Sequence, residues 1–466
     1  MAAVFLWAMP SGDPASGQQL SIAARLERLP VGRFHRRFIT LVSLGGWFDL
    51  YDLFMVAYLG AALQDSHFLS LHQFSLLVSA GFLGMFLGTV LFGMGSDRVG
   101  RRSAFVIMLL IYSVFTLAGA LAPDANWLIA TRFLAGIGIG AEIVVIDTYV
   151  TELVPSWTRG RFVAITQVVG FTSVPAVALL CRVLVPTHFW IDGWRWIMVI
   201  GAAGGMLAWY FRLQLPESPR WLAERGRERE AENILQILEA ESGETRDVPN
   251  IQDLAPSARE NRPSVLAAFA ELWRPPYARR TAMLIVFQAL QTIGFYGFSN
   301  WAPTFLLHRG VSLLSSLDYT LLMALVAPLG PLVATFTSDR WERKWTIAVT
   351  ALLVALFGLG FAFWTAPTLI VLSGALITLC NNCFSANFHA YQSELFPTRI
   401  RATGVGFTYS WSRLSAAFTS LLIGAVLMYG VPAVFALLAA AMVVVAIVIL
   451  ALGPRSNGVP LEELSS

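Results

Sequence analysis

The stretch Gly93-Met94-Gly95-Ser96-Asp97-Arg98-Val99-Gly100-Arg101-Arg102 recurs in altered form as Thr335-Phe336-Thr337-Ser338-Asp339-Arg340-Trp341-Glu342-Arg343-Lys344. Aspartate stands 242 positions from aspartate. A second pair keeps the same offset: Glu152-Leu153-Val154-Pro155, with Arg159 following, matches Glu394-Leu395-Phe396-Pro397, with Arg401 following. Several features at one spacing make the chain a duplication. Between the copies the apolar stretches number six, an even number, so the second copy re-enters the membrane from the same side as the first. The repeat is therefore parallel, related by a pseudo-two-fold along the membrane normal. Such repeats place a substrate site at the midplane between the halves and expose it alternately by rocking them. A channel would need several identical subunits or a filter sequence, and neither is visible.

Composition around these loops agrees. Of 466 residues 56% are hydrophobic and only 13% charged, with mean hydropathy +0.64. Soluble domains average about 45–50% apolar and about 25% charged. Three cysteines cannot build a disulfide framework, and a net charge of +3 is too small for nucleic-acid binding. Soluble enzyme, disordered protein and secreted module are excluded. A membrane span takes about 20 apolar residues. Twelve stretches qualify, near 38–63, 72–95, 103–122, 126–151, 160–185, 193–213, 281–307, 314–337, 345–364, 368–393, 402–428 and 431–453. They are too long for barrel strands, so helices must satisfy the backbone. The expected fold is an all-α membrane protein of twelve transmembrane helices in two six-helix parallel repeats (6+6).

Basic residues set the expected orientation. The N-terminus carries five, the 2–3 loop three, the 4–5 loop two, the 6–7 segment eleven, the 8–9 loop three, the 10–11 loop two and the tail one, together 27 of 32. Positive charge marks the cytoplasmic side, so both termini and the long central segment are expected there. The domains read as a cytoplasmic segment 1–37, a bundle 38–213, a linker 214–280 with short helices near 219–241 and 264–273, a bundle 281–453 and a tail 454–466. Residues 1–19 read as disordered. No cleaved signal is read in the first nine residues, and Leu20–Phe38 reads as one amphipathic interfacial helix. The linker joins the halves, and nothing in it points to ligand sensing.

With these residues in view, the chain resembles a major facilitator superfamily transporter over nearly its whole length. Gly93 to Arg102 matches that superfamily's signature, and Arg132-Phe133-Leu134-Ala135-Gly136-Ile137-Gly138-Ile139-Gly140 its span-4 motif. Pro216-Glu217-Ser218-Pro219-Arg220 and Glu394-Leu395-Phe396-Pro397-Thr398 are similar to the sugar-porter branch. Residues Ala24 to Pro30 and Gly140-Ala141-Glu142 resemble bacterial metabolite:proton symporters such as nicotinate and aromatic-acid carriers. The resemblance implies a transporter, not an enzyme, without cofactor or metal. It implies action as a monomer in a bacterial inner membrane, with protons, a small molecule and the bilayer as partners. Thr335 and Glu342 replace glycines of the signature, so a looser second lock is expected.

The loop charges read as gates or as solvated anchors. As gates, Asp97 caps a helix N-terminus or meets an arginine, and Arg98 and Arg102 face acids such as Glu152. Arg101, Arg159, Asp339, Arg340, Glu394 and Arg401 complete that set. Pairs that form in one conformer and break in the other are what a gate requires.

Charge inside a span is costly and points to function. Asp49 and Asp52 share a face of span 1, roughly 17–21 Å along the helix, and Arg132 of span 4 lies at similar depth. An Asp–Arg pair whose acid takes a proton on opening is a coupling device; the alternative is a static ion pair. Asp52 is the expected proton carrier, with Asp49 close behind. Glu142 reads as a second proton site or a structural partner. Asp147 maps onto His389 by the offset of 242, and the two form an inner gate or each bond nearby groups. Arg413, midway along span 11, ligates a substrate carboxylate or bonds across to span 10 or the 10–11 loop. Gln167, Gln288, Gln291 and Asn381 supply amides. Tyr51, Phe295, Tyr296, Trp301 and Trp411 could stack on a ring, although most such aromatics only pack. The span-7 run keeps two amides of the sugar-porter pattern but not the whole of it. Cys380 and Cys383 read as packing.

The first reading is proton-coupled import of a small organic acid, with aromatic carboxylates the class the resemblance adds. The second is a sugar or polyol porter and the third a proton-driven exporter, whose span-5 motif Val169 to Pro175 does not match.

Overall fold

Long apolar runs become helices here because only helices pair every backbone amide within the segment. Prolines decide where they stop. A computed structural model describes residues 22–140, 146, 149–150, 152–242, 265–337, 340–396 and 398–455; within them, the side chains at 23, 93–99, 101, 156–160, 163, 224, 265–266, 393, 398–399 and 401–402 are outside the description. The elements are α1 (Ile22–Glu27), α2 (Arg33–Asp65), α3 (Leu71–Val99), α4 (Arg101–Ala120), α5 (Ala125–Ile139), α6 (Ser156–Phe171), α7 (Ser173–Leu184) and α8 (Gly193–Arg212). Then come α9 (Pro219–Glu224), α10 (Glu228–Ser242), α11 (Val265–Glu271), α12 (Tyr277–Ser299), α13 (Ala302–His308), α14 (Leu313–Ala324) and α15 (Leu329–Thr337). The chain closes with α16 (Arg343–Phe363), α17 (Pro367–Glu394), α18 (Thr398–Val426) and α19 (Val431–Leu452). A two-residue hairpin pairs His188–Phe189 with Ile191–Asp192. Among the described residues ten helices are long and apolar enough to cross a membrane. Of the twelve predicted stretches, those near 126–151 and 193–213 fall outside that set; the first is described only as the 15-residue helix Ala125–Ile139.

Several predicted boundaries need correction. Leu20–Phe38 is not one interfacial helix. The chain turns between α1 and α2, where Pro30 lacks an amide hydrogen and restricts Leu29, and α2 then runs unbroken from Arg33. Three predicted spans are broken. The 160–185 stretch divides at Thr172, three residues before Pro175; the 281–307 stretch divides at Asn300–Trp301 before Pro303; the 314–337 stretch divides over 325–328, which ends in Pro328. Each ring removes a helical hydrogen bond and crowds the turn before it.

Close approach of α3 and α5 rests on absent side chains. A Cβ on Gly136 would strike the Gly81 carbonyl oxygen, and one on Gly84 the Phe133 carbonyl oxygen. Small residues let membrane helices approach this closely. The contact seats Arg132, whose Nε would lie 3.3 Å from a Cβ on Gly81.

The duplication recurs in contacts. Tyr149 donates its hydroxyl to the Pro216 carbonyl, and Tyr391, 242 positions on, donates to the Pro454 carbonyl at 2.8 Å. Arg102 donates to the Leu213 carbonyl at 2.5 Å, and Lys344, again 242 on, to the Gly453 carbonyl at 2.7 Å. Both copies fasten the same two places to the end of α8 or α19.

Candidate functional site

A small cavity, with about 60 Å³ of room for water, lies between α2 and α6 on one side and α12, α17 and α18 on the other. Leu50, Leu53, Phe54, Phe171, Phe295 and Phe388 give it an apolar wall. Gln167, Gln291, Tyr296, Tyr409, His389, Ser385 and Ser412 supply the polar groups. Among the described residues none that lines it is an acid, lysine or arginine.

The charge stands one layer back. Arg413, 3% exposed, donates from Nη1 to the Tyr296 hydroxyl at 2.7 Å and from Nη2 to the Tyr409 hydroxyl at 3.2 Å. The predicted alternative of a bond to span 10 or the 10–11 loop is corrected by these partners, which lie on α12 and on Arg413's own helix. Two aromatic faces also flank the guanidinium, with ring centroids 5.8 and 5.4 Å away. Its Nε has no hydrogen-bond partner among the described residues.

Beside it runs a chain of amides. Gln291 Nε2 donates to Gln288 Oε1 at 3.1 Å, Gln288 Nε2 donates to Gln392 Oε1 at 3.0 Å, and Gln392 Nε2 meets His389 Nδ1 at 3.2 Å. Gln288 is wholly buried and Gln392 nearly so, so these bonds discharge amides that would otherwise be costly in the interior.

Asp52 is fully buried, with Oδ2 2.5 Å from Arg132 Nη1, and its backbone carbonyl accepts from Arg132 Nη2 at 3.3 Å. Asp49 is buried too. Neither acid lines the main cavity; Leu50 and Leu53 of the same helix do. Arg132 instead borders a smaller hollow, with about 10 Å³ of room for water, with Gly81, Phe82, Met85 and Asn300. Leu53 walls both spaces. Asp52 is thus turned to Arg132 of α5 rather than to the main cavity.

Other predicted ligands are placed elsewhere. Tyr51 is buried and donates to the Ile197 carbonyl at 2.9 Å. Trp411 lies off the cavity, about a third exposed, in edge contact with Phe407. Asn381 is buried away from the cavity, its amide without a partner among the described residues. Cys380 and Cys383 are buried thiols. Tyr409, Gln392, Ser385 and Ser412 were not anticipated. Their signal was in the spacing: Ser385, His389 and Gln392 form an i, i+4, i+7 stripe, and Tyr409 stands four before Arg413.

Glu142, expected as a second proton site or structural partner, and the expected gate residues Asp147 and Asp339 lie outside the described residues, as do the side chains of Asp97, Arg98, Arg101, Arg159 and Arg401 and the surroundings of Gly93. The pairing of Asp147 with His389 therefore has no structural counterpart here. Where an acid was expected at a helix N-terminus, Glu217 stands: its Oε1 accepts from the Arg102 amide at 3.1 Å and the Ser218 amide at 3.0 Å. Gly100, at φ +100°, makes the turn, and a Cβ there would strike that carboxylate. In the second copy Arg343 pairs with Glu394, Glu342 is the N-cap of α16, Thr335 bonds its own helix and Arg340 is exposed.

The two halves also meet where α2 ends. Gln64 donates to Thr304 at 3.2 Å, Arg182 pairs with Asp318, and Phe74 and Phe82 pack on Trp301 and Tyr296 with centroids 4.8 and 4.7 Å apart.

Comparison with known proteins agrees with this architecture. A family model described as "Sugar (and other) transporter" matches residues 38–466. The putative metabolite transport protein YyaJ of Bacillus subtilis is 34% identical over 93% of this chain and 96% of its own. The niacin transporter NiaP of Acinetobacter baylyi is 31% identical over 96% of this chain and all of its own. In fold, the proton:xylose symporter XylE bound to 6-bromo-6-deoxy-D-glucose superposes with a TM-score of 0.73 at 20% identity, over 92% of this chain and 98% of that one. The protein is a multi-pass carrier of the bacterial inner membrane, of sugar or metabolite type, and not an enzyme. The chain belongs to the sugar (and other) transporter family of the major facilitator superfamily.

Proposed function

We propose that the chain is a proton-coupled symporter that imports a small organic acid, aromatic carboxylates included, by alternating access. In this reading twelve helices form two six-helix bundles with both termini cytoplasmic, and a monomer is the working unit. The observation that carries the substrate class is the arginine behind two tyrosines: Arg413 polarises the Tyr296 and Tyr409 hydroxyls on a wall otherwise built largely of phenylalanine and leucine. Hydroxyls bonded to a cation make strong donors to an anion, and flat apolar walls suit a ring. The niacin-carrying relative supports the same class.

Coupling is assigned to Asp52. Buried charge of either sign is costly, so Asp52 and Arg132 neutralise one another until the pair opens and the acid takes a proton. Arg132 borders a hollow of about 10 Å³, at the lower limit for a single water, which would place the proton's route apart from the substrate's. Arg182–Asp318 and Gln64–Thr304 act as the outer latch, and the Arg102, Glu217, Arg343 and Glu394 contacts hold the inner ends.

Uptake into proteoliposomes with acid outside tests the reading. A carboxylate should accumulate against its gradient and fail to do so when a protonophore collapses the pH difference. Accumulation that ignores the pH difference overturns the coupling. A second reading, a sugar or polyol porter, is favoured by the amides Gln167 and Gln291 and the hydroxyls of Ser385 and Ser412 on the wall, and uptake of sugars alone from the same panel would select it.

A further inference from the structure

A buried polar atom without a partner asks for a reason, and one stands beside the Asp52–Arg132 pair. Asn300 is 2% exposed, and its Oδ1 has no hydrogen-bond partner among the described residues. It sits in the break between α12 and α13, ahead of Pro303. Among the described residues lining its hollow, Asn300 alone comes from the second half; the rest belong to α2, α3 and α5, Arg132 among them. That hollow has room for at most about one water, so a side-chain rotation or a single bridging water joins the guanidinium to the amide. The residues that follow are already seated on the first half. Trp301 packs on Phe74, and Thr304 accepts from Gln64. Asn300 therefore meets Arg132 only while α13 lies against α2 and α3.

We propose that Asn300 is the positioning residue through which a proton on Asp52 is felt by the second half: its carbonyl oxygen accepts from Arg132 once Asp52 is protonated, and that bond holds α13 closed. The inference rests on the coupling reading above and on neither substrate reading. Charge balance drives it. With Asp52 ionised, Arg132 is neutralised, Nη1 on the carboxylate and Nη2 on the Asp52 backbone carbonyl. A proton taken from the medium stays on the carboxyl, and the pair goes from zero to one net positive charge. A buried guanidinium that has lost its counter-ion gains most from a new acceptor. The other titratable groups nearby are Asp49 and Tyr51 of α2, Tyr112 of α4 and Cys181 of α7. The phenols and the thiol ordinarily keep their protons at neutral pH. Asp49 is the competing acceptor, but it does not line the hollow that Arg132 and Asn300 share. A contact confined to the closed arrangement and strengthened by protonation makes protonation favour closure, by linkage.

Distances between nitroxides on Ser66→Cys and His308→Cys test the proposal in the full-length protein reconstituted in lipid at about pH 8, above the ordinary carboxyl range. Both sites are exposed, just past α2 and at the end of α13, and the three native cysteines are buried. Asp52→Asn, which fixes the uncharged form, should raise the ratio of short to long distances at least about fivefold, the lower end of coupling between sites. Adding Asn300→Leu should return the ratio to within about twofold of its starting value, whereas adding Asp49→Asn should not. Asn300→Asp, which gives Arg132 a second anion, should favour the short distance with Asp52 present or replaced. Leucine removes an oxygen that has no partner, so Asn300→Leu should leave the thermal midpoint in place; a purely structural asparagine would lower it and leave the distances alone. A response to Asp52→Asn that survives Asn300→Leu, or that is lost with Asp49→Asn instead, overturns the proposal. Uptake separates the two readings. An Asp52→Asn protein that still accumulates substrate uphill sinks the coupling reading and this inference together, while one that fails to accumulate with its distances unmoved sinks only the role of Asn300.

Discussion

Among the described residues Asp52 and Arg132 form the most deeply buried charge pair, one wholly buried and the other 5% exposed. Removing one partner of such a pair costs about 3–5 kcal/mol when the other stays charged. Asp52→Asn should abolish uphill uptake while leaving counterflow exchange of substrate; full accumulation in that variant, measured in proteoliposomes, would move coupling to another residue. At the cavity, Tyr296→Phe and Tyr409→Phe each delete one hydroxyl between Arg413 and the ligand. Each should raise the apparent KM for a carboxylate by about three- to tenfold, the worth of one hydrogen bond, with the KM for any sugar unchanged. The Asp52–Arg132 ion pair was legible because ionisable groups inside apolar runs are few and each needs a reason. Tyr409 and Gln392 were not. Whether a hydroxyl or amide in a span faces a cavity, its own backbone or a neighbouring helix is settled by helix rotation, and the weak periodicity of a membrane helix leaves that rotation open. Tyr51 and Trp411 show the same limit from the other side: each carried the right chemistry and was turned elsewhere.

Among the elements, α4 depends on a residue far along the chain. Its N-terminus follows Gly100, which has no side chain to cap it, and Glu217 fills that place more than a hundred residues later. Glu217→Ala should cost about 1 kcal/mol, the usual worth of a lost cap, read as a lowered thermal midpoint in detergent. Glu217→Gln should recover part of it by keeping one acceptor. The signature loop and the Pro-Glu-Ser-Pro-Arg segment were both conspicuous in the sequence, yet their contact was not, because no spacing rule joins residues so distant. Helix breaks show the reverse. Pro175, Pro303 and Pro328 were visible, but the apolar runs through them were read as continuous, since a membrane helix can carry a proline when its neighbours satisfy the freed groups.

For the molecule as a whole, helix content and duplication were plain in composition and in one recurring offset, while the packing of α1 against the linker helices was hidden. The N-terminal α1 is bound to α10 of the linker by Arg25, which donates to Glu239 at 2.7 and 2.9 Å and to Glu232 at 2.7 and 2.8 Å. Hydrogen bonding to Glu239 in the first place, and to Glu232 with it, holds the guanidinium pKa well above its ordinary value. A raised folded-state value contributes stability that is complete below the ordinary arginine value and fades only above it. Arg25→Gln should therefore lower the thermal midpoint by an amount that stays constant from about pH 6 to about pH 9. A difference that shrinks across that window would show that the clamp is not held by arginine charge.

The paired hydroxyl-to-proline fastenings, Tyr149 to Pro216 and Tyr391 to Pro454, bear on how the chain can be divided. Each ties a tyrosine to the chain just past α8 or α19 within the same copy, so neither copy borrows this contact from the other. Severing the polypeptide between Ser242 and Val265 would leave two fragments, each with its own clasp. Co-produced from separate messages, such fragments would need only to find one another in the bilayer.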